Sequence, residues 1–363
     1  MIIRKTNKDK ATKTTVTMAP EAVPATVNPV ATLVTPKETR KEINLAKLLN
    51  VDLPNVQALE GFPLHDITDI PDIDKRYVFD DKTTRQILLY LMKPLGDCLW
   101  ISGDPGCGKT TSLLQIAARL GWGVQQITAS NKCESLDLIG HTTLIDGRLV
   151  YEYGPLAKAM KQGEILLINE VDTMSSQDLS ALNDVLEGKP LTIVQNGGEI
   201  IKPHPYFRVV VTANTFGSGD PSGKYIGTRV LNQAFLDRFR FLKVTYPTLD
   251  RLKDIINSYV KLPNDQLTKV LKLTEDLQRL HSGETAELTA PFSVRSVIKI
   301  ANLLQDMQPD EAVMCAYAQR LTDDEQAFVM RLVKDIWGYE DSKTPVDKAD
   351  DKPATPTKRR KAA

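Results

Sequence analysis

Residues 103–110 read GDPGCGKT: Gly103, Asp104, Pro105, Gly106, Cys107, Gly108, Lys109 and Thr110, in the spacing G-x-x-x-x-G-K-[ST]. Glycines so placed let backbone N–H groups converge on phosphate oxygens. A lysine there adds charge for the outer phosphates, and the hydroxyl can sit on a bridging metal ion. Thr111 continues into an apolar-periodic segment, and Cys107 reads as incidental, although alkylation there is expected to block the loop. Residues 165–172, ILLINEVD, offer the other half of the chemistry. In phosphate-binding enzymes an apolar run ending in two acids holds Mg²⁺, usually through water, and polarises the attacking water. Here Asn169 takes the first position and Glu170 the second. An amide oxygen still accepts from a metal-bound water, but without a charge, so Mg²⁺ should be held less tightly. Asp172 is expected mainly to cap a helix starting near Ser175. FRVVVTAN (207–214) ends in Asn214, which can orient a water or close a turn; residue type alone favours the turn.

Such residues act only if strands and helices bring them together. TTRQILLYLMK (83–93) has helical spacing, DCLWISG (97–103) is a buried-strand run, and KTTSLLQIAARL (109–120) is an amphipathic helix. The loop therefore lies between a strand and a helix, the setting that makes its match specific. Further strands are predicted at 122–128, 164–170, 207–214 and 240–246. Strands alternating with helices imply an α/β fold with a parallel sheet and flanking helices. Two β-hairpin inserts interrupt it, TTLIDGRLVYEYG (142–154) and LTIVQNGGEIIK (191–202), each centred on Asp-Gly or Asn-Gly-Gly. From about residue 248 the strands stop and four helical segments follow. The expected division is a flexible tail at 1–43, an α/β nucleotide-binding domain with an N-terminal extension at 44–247, a helical lid domain at 248–340 and a flexible basic tail at 341–363.

Bulk composition narrows the classes. With 42% hydrophobic and 25% charged residues in 363, a packed core is expected. Net charge is zero but unevenly spread: 1–43 holds eight Lys/Arg against four Asp/Glu, and 341–363 seven against four, so the body is acidic. An acidic body argues against a broad nucleic-acid surface. The tails lack the aromatic or bulky apolar content that offsets ordering entropy, and KRRK (358–361) reads as part of a solvated terminus. Four cysteines without C-x-x-C spacing suggest free thiols in a reducing cytoplasm, and four scattered histidines suggest no protein-ligated metal. No apolar run is long enough for a transmembrane helix, and the N-terminus lacks the apolar core of a secretory signal.

Several segments together resemble the AAA+ ATPases of the MoxR-type branch, and within it the CobS-type ATPase subunit of aerobic cobaltochelatase. They are PDIDKRYVFD, GDPGCGKT, SLDLIG, GRLVYEYGPL, IIKPHPYFRVVVTANT and GSGDPSGKYIGTRVLNQAFLDRF, and the likeness runs from about residue 70 to the helix carrying Arg295. The resemblance implies ATP as nucleotide, with Mg²⁺. It gives Asn214 the sensor-one position, Arg295 the sensor-two position, and Arg238 the role of an arginine reaching a neighbouring subunit's γ-phosphate. Residue type alone would make Arg238 or Arg240 a salt-bridge partner. A homo-oligomeric, hexameric ring is implied, with the hairpins facing the pore or a partner, often one carrying a von Willebrand A-type domain. The expected function is a ring-forming ATPase that remodels a partner protein and turns over slowly because of Asn169. The alternatives are an ATP-gated assembly scaffold, a cobaltochelatase ATPase subunit in cobalamin synthesis, and a nucleic-acid motor, which the acidic body disfavours.

Overall fold

The computed structural model describes residues 65–219, 227–282 and 288–338, together with an antiparallel pairing of Thr39–Arg40 with Phe62–Pro63. Apart from Thr39–Arg40, both segments read as flexible tails, KRRK included, lie outside the described residues, as does 220–226.

Five strands form one parallel sheet: β1 Cys98–Ser102, β2 Val124–Thr128, β3 Ile165–Asn169, β4 Arg208–Ala213 and β5 Phe239–Lys243, in the order β5-β1-β4-β3-β2. The three central strands are buried at every position, as a sheet covered on both faces requires. Alternation along the strands divides the core into two layers. Leu99, Ile101, Ile165, Leu167 and Val210 pack with α1 (Asp81–Met92) and α2 (Lys109–Leu120). Trp100, Leu166, Ile168, Val209 and Val211 pack with α3 (Pro155–Gln162) and the hairpins.

Register brings the chemistry together. Ser102 of β1 pairs with Ala213 of β4, and Val211 pairs with Ile168 of β3. The phosphate-type loop, Asn214 and Asn169–Glu170 therefore leave adjacent strands at one edge, where open α/β sheets bind ligands.

Both expected hairpins form. Gly140–Ile145 pairs with Arg148–Tyr153 across Asp146 (φ 48°) and Gly147 (φ 75°), the two left-handed residues a tight hairpin turn needs. Leu191–Ile193 pairs with Glu199–Ile201 through a longer loop. Glu199 ties the two together: Tyr153 Oη (2.7 Å), Lys161 Nζ (2.8 Å) and Asn196 Nδ2 (2.7 Å) all donate to it.

The helical part comprises α4 Leu249–Tyr259, α5 Asn264–Ser282, α6 Val294–Leu303, α7 Pro309–Ala316 and α8 Asp323–Trp337, around its own core of Leu252, Ile256, Leu273, Phe292, Ile300, Val313 and Val329. The sequence reading missed α7, a short helix with Pro309 in its first turn and weak amphipathic patterning. Helix α4 is fastened to the segment before α1, where Arg251 Nη1 donates to Asp80 Oδ1 (2.8 Å) and Tyr259 Oη to Asp74 Oδ2 (2.8 Å).

Candidate functional site

The loop after β1 is held open by glycine. Gly106 (φ 75°) and Gly108 (φ 100°) take left-handed conformations. A Cβ on Gly103 would overlap the Val244 carbonyl oxygen, and one on Gly106 would lie 2.5 Å from Ser293 Cβ, so the loop tip abuts the start of α6. Gly108 precedes α2 with no side-chain cap, leaving the first N–H groups of the helix for an anion. Tyr246 Oη donates to the Pro105 carbonyl (2.9 Å) and braces the loop against the end of β5.

Lys109 Nζ donates to the Gly103 carbonyl (2.6 Å), the Asp104 carbonyl (3.2 Å) and Asn214 Oδ1 (2.9 Å). Burial pulls its ammonium below the usual range, against the opposing charges of Cys107, Asp104, Asp172 and Glu170. A partly desolvated cation whose direct hydrogen-bond partners are two carbonyls and an amide can gain an anion. Cys107 is buried, and burial raises its thiol, so it is a poor thiolate and a slow target for the alkylation the sequence suggested.

Asn169, at the end of β3, is buried, and its Oδ1 accepts from Thr110 Oγ1 (2.7 Å) and Thr212 Oγ1 (3.1 Å). Glu170 follows in the left-handed region (φ 55°, ψ 39°) and is exposed. A non-glycine residue held there costs about 1–3 kcal/mol, a strain found most often at functional positions.

Asp172 departs from expectation. The helix at 176–180 is capped by Ser175, which accepts from Asp178 N (3.1 Å), not by Asp172. Asp172 is instead fully buried, and its Oδ2 accepts from Asn214 N (3.1 Å), Thr215 N (3.1 Å) and Thr215 Oγ1 (3.0 Å). The sheet order brings the end of β4 beside the turn after β3, a neighbour sequence separation does not reveal.

Arg295 lies exposed in the first turn of α6 and, with Gly106, Gly108 and Thr111, lines a cavity of about 510 Å³ between the two parts of the chain. Tyr77, Val78, Tyr246, Arg251 and Tyr259 also line it and were not singled out from sequence, although Tyr77 and Val78 sit in the PDIDKRYVFD segment. Arg238 lies elsewhere. Its carbonyl accepts from Cys98 N (2.8 Å) at the start of β1, a five-residue strand, and the loop follows the far end about 16 Å away. Its guanidinium contacts Glu187 and the Ala234 carbonyl. Arg240 is a bidentate partner of Asp97, with both bonds at 2.7 Å.

Comparison with known proteins matches this layout. Residues 99–239 fit the family described as AAA domain (dynein-related subfamily), and 253–335 fit the CbbQ/NirQ/NorQ C-terminal family. The aerobic cobaltochelatase subunit CobS of a Sinorhizobium species is 30% identical over 250 residues, 66% of this chain and 74% of that protein. An uncharacterized protein of Staphylococcus saprophyticus is 28% identical over 266 residues, 71% of this chain and 97% of that protein. Another, of Staphylococcus epidermidis, is 29% identical over 242 residues, 64% and 88%. With one family covering the 103–110 loop and strands β2 to β4 and the other most of the helical part, the chain belongs to the MoxR-type branch of the AAA+ ATPases.

Proposed function

We propose that this chain binds ATP with Mg²⁺ between the 103–110 loop and the helical lid, hydrolyses it, and couples hydrolysis in a ring to remodelling of a partner protein. The observation that carries this is the convergence at one sheet edge of Lys109 on Asn214 (2.9 Å) and Thr110 on Asn169 (2.7 Å). The loop's N–H groups and Lys109 hold the phosphates, the cavity lined by Tyr77, Val78 and Arg295 takes the nucleoside, and residues 248–340 act as lid over the 44–247 domain. Thr110 and, through water, Asn169 would hold Mg²⁺, which would supply charge neutralisation on the outer phosphates. A hydroxyl that donates to Asn169 keeps its lone pairs for a cation, so the amide orients Thr110 without contributing charge. Glu170 takes the proton of the attacking water, and Asn214 orients that water beside Lys109.

Arg238, too far from its own loop, serves the loop of the next copy, which makes the active unit a homo-oligomer, a hexameric ring by family pattern. The two hairpins, joined through Glu199, form the surface that meets the partner, for which a von Willebrand A-domain protein is the candidate. No helix among the described residues is long and apolar enough to cross a membrane, and the free thiols favour the cytoplasm. Asn169 favours a second reading, an ATP-gated scaffold that rarely turns over. Phosphate release from Mg-ATP across protein concentration separates the two: the motor reading expects turnover per site to rise with concentration, and the scaffold reading expects binding with no release above background.

A further inference from the structure

Asp172 is 0% exposed, and its two oxygens are treated very differently. Oδ2 accepts three bonds, from Asn214 N (3.1 Å), Thr215 N (3.1 Å) and Thr215 Oγ1 (3.0 Å). Oδ1 is buried with no partner among the described residues. A buried acid with three bonds on one oxygen and none on the other needs a reason beyond packing. The bonds it makes join three pieces of the site. Residues 171–173 form the turn that leaves Glu170 in its left-handed conformation. Asn214, whose backbone Asp172 holds, touches Lys109 with its side chain. The Asp172 carbonyl in turn accepts from Arg229 N (2.8 Å), on the stretch that continues through Asn232, capping the helix Gln233–Leu236, to Arg238.

We infer that Asp172 is a positioning residue for hydrolysis: it fixes the end of β4 against the Glu170 turn, so that Asn214 and Glu170 keep one geometry relative to the phosphates. It does not touch the nucleotide itself. The inference rests on the ATPase reading above. Loss of the clamp should leave nucleotide binding intact and slow the chemical step, because a misplacement of about 1 Å at a reacting centre costs on the order of a hundredfold.

The test uses the full-length chain with Asp172→Ala, Asp172→Asn and Thr215→Val, assayed for Mg-ATP turnover, for affinity toward a fluorescent ADP analogue, and for amide hydrogen exchange at residues 208–217. In Asp172→Ala, kcat is expected to fall by about thirty- to a hundredfold with ADP affinity within about threefold of wild type, and exchange at Asn214 and Thr215 to rise. Asp172→Asn keeps an oxygen where Oδ2 sits and should recover most of both. Thr215→Val removes one arm and should fall between, which keeps the test usable if the alanine variant folds poorly. Unchanged kcat and exchange in Asp172→Ala overturn the inference, and so does an asparagine variant no better than alanine. If wild type itself releases no phosphate, the ATPase reading fails. The exchange data then decide the clamp alone: protection lost in alanine and kept in asparagine supports it, and no difference overturns it.

Discussion

The Thr110 hydroxyl donates to Asn169 Oδ1 across 2.7 Å, and the Thr212 hydroxyl reaches the same oxygen at 3.1 Å. One neutral amide oxygen thus orients the side chain that opens the helix after the loop. A carboxylate would accept the same two bonds and add a charge. Asn169→Asp is therefore expected to lower the Mg²⁺ concentration for half-maximal turnover by about tenfold without disturbing the fold, read from a Mg²⁺ titration of phosphate release. An unchanged titration would mean that Asn169 lies outside the metal's reach.

Among the described residues Lys109 bonds to two loop carbonyls and Asn214, and burial already disfavours its charge. Lys109→Met should weaken ATP binding by about ten- to a hundredfold, the worth of a charge-assisted contact, with thermal stability of the ligand-free protein equal to or above wild type. Calorimetric titration with ATP and a melting scan check the two halves.

Gly106 combines φ 75° with a start-of-α6 neighbour, Ser293 Cβ, 2.5 Å from where a Cβ would sit. Gly106→Ala has to strain the loop or push the helical part away, at about 1–3 kcal/mol. Nucleotide affinity should fall by about tenfold or more, and small-angle scattering should show a more open chain.

Arg238 and the phosphate loop lie at opposite ends of β1. Arg238→Ala and Glu170→Gln should each abolish turnover while leaving ATP binding within about threefold of wild type. Mixing the two inactive proteins should restore about a quarter of the wild-type rate, the share of interfaces in random rings that pair an intact Glu170 with an intact arginine. No recovery on mixing would place the arginine's role within one subunit.

Glu164 is fully buried, and burial pushes its carboxyl up from 4.5 to about 8, opposed by a hydrogen bond from Gln125. The folded protein keeps this proton to about pH 8, whereas the unfolded chain releases it near 4.5. The folded state binds the extra proton in that window, so stability falls as pH rises through it. Glu164→Gln cannot ionise. Its melting temperature should exceed that of wild type by a margin that widens from pH 5 to about pH 8 and then levels.

Much of this was legible in the sequence because it is local. Asp-Gly at 146–147 marked its hairpin, the α2 bounds 109–120 match the amphipathic run, and the central strands β1, β3 and β4 sit inside their predicted apolar segments. The expectations for the loop and ILLINE rest on residue order alone. What sequence hid depends on neighbours far along the chain. Asp172 read as a helix cap because Ser175 stands close in sequence, while its true partners at 214–215 come from the next strand over. Thr212, a hydroxyl within a buried apolar strand, was the one local signal for the second bond on Asn169, since such a group needs a partner. The cavity of about 510 Å³ is assembled from segments around 77, 106, 246 and 295, and no single stretch announces it.

The central claim is that Glu170 drives hydrolysis although Asn169 stands where an acid is usual. Steady-state release of phosphate from saturating Mg-ATP by wild type, Glu170→Gln and Asn169→Asp, side by side, tests it most directly. The account predicts measurable turnover in wild type, loss of it by at least about a hundredfold in Glu170→Gln, and equal or faster turnover in Asn169→Asp. Wild type indistinguishable from Glu170→Gln, with activity appearing only in Asn169→Asp, would contradict it and make the chain a nucleotide-binding switch.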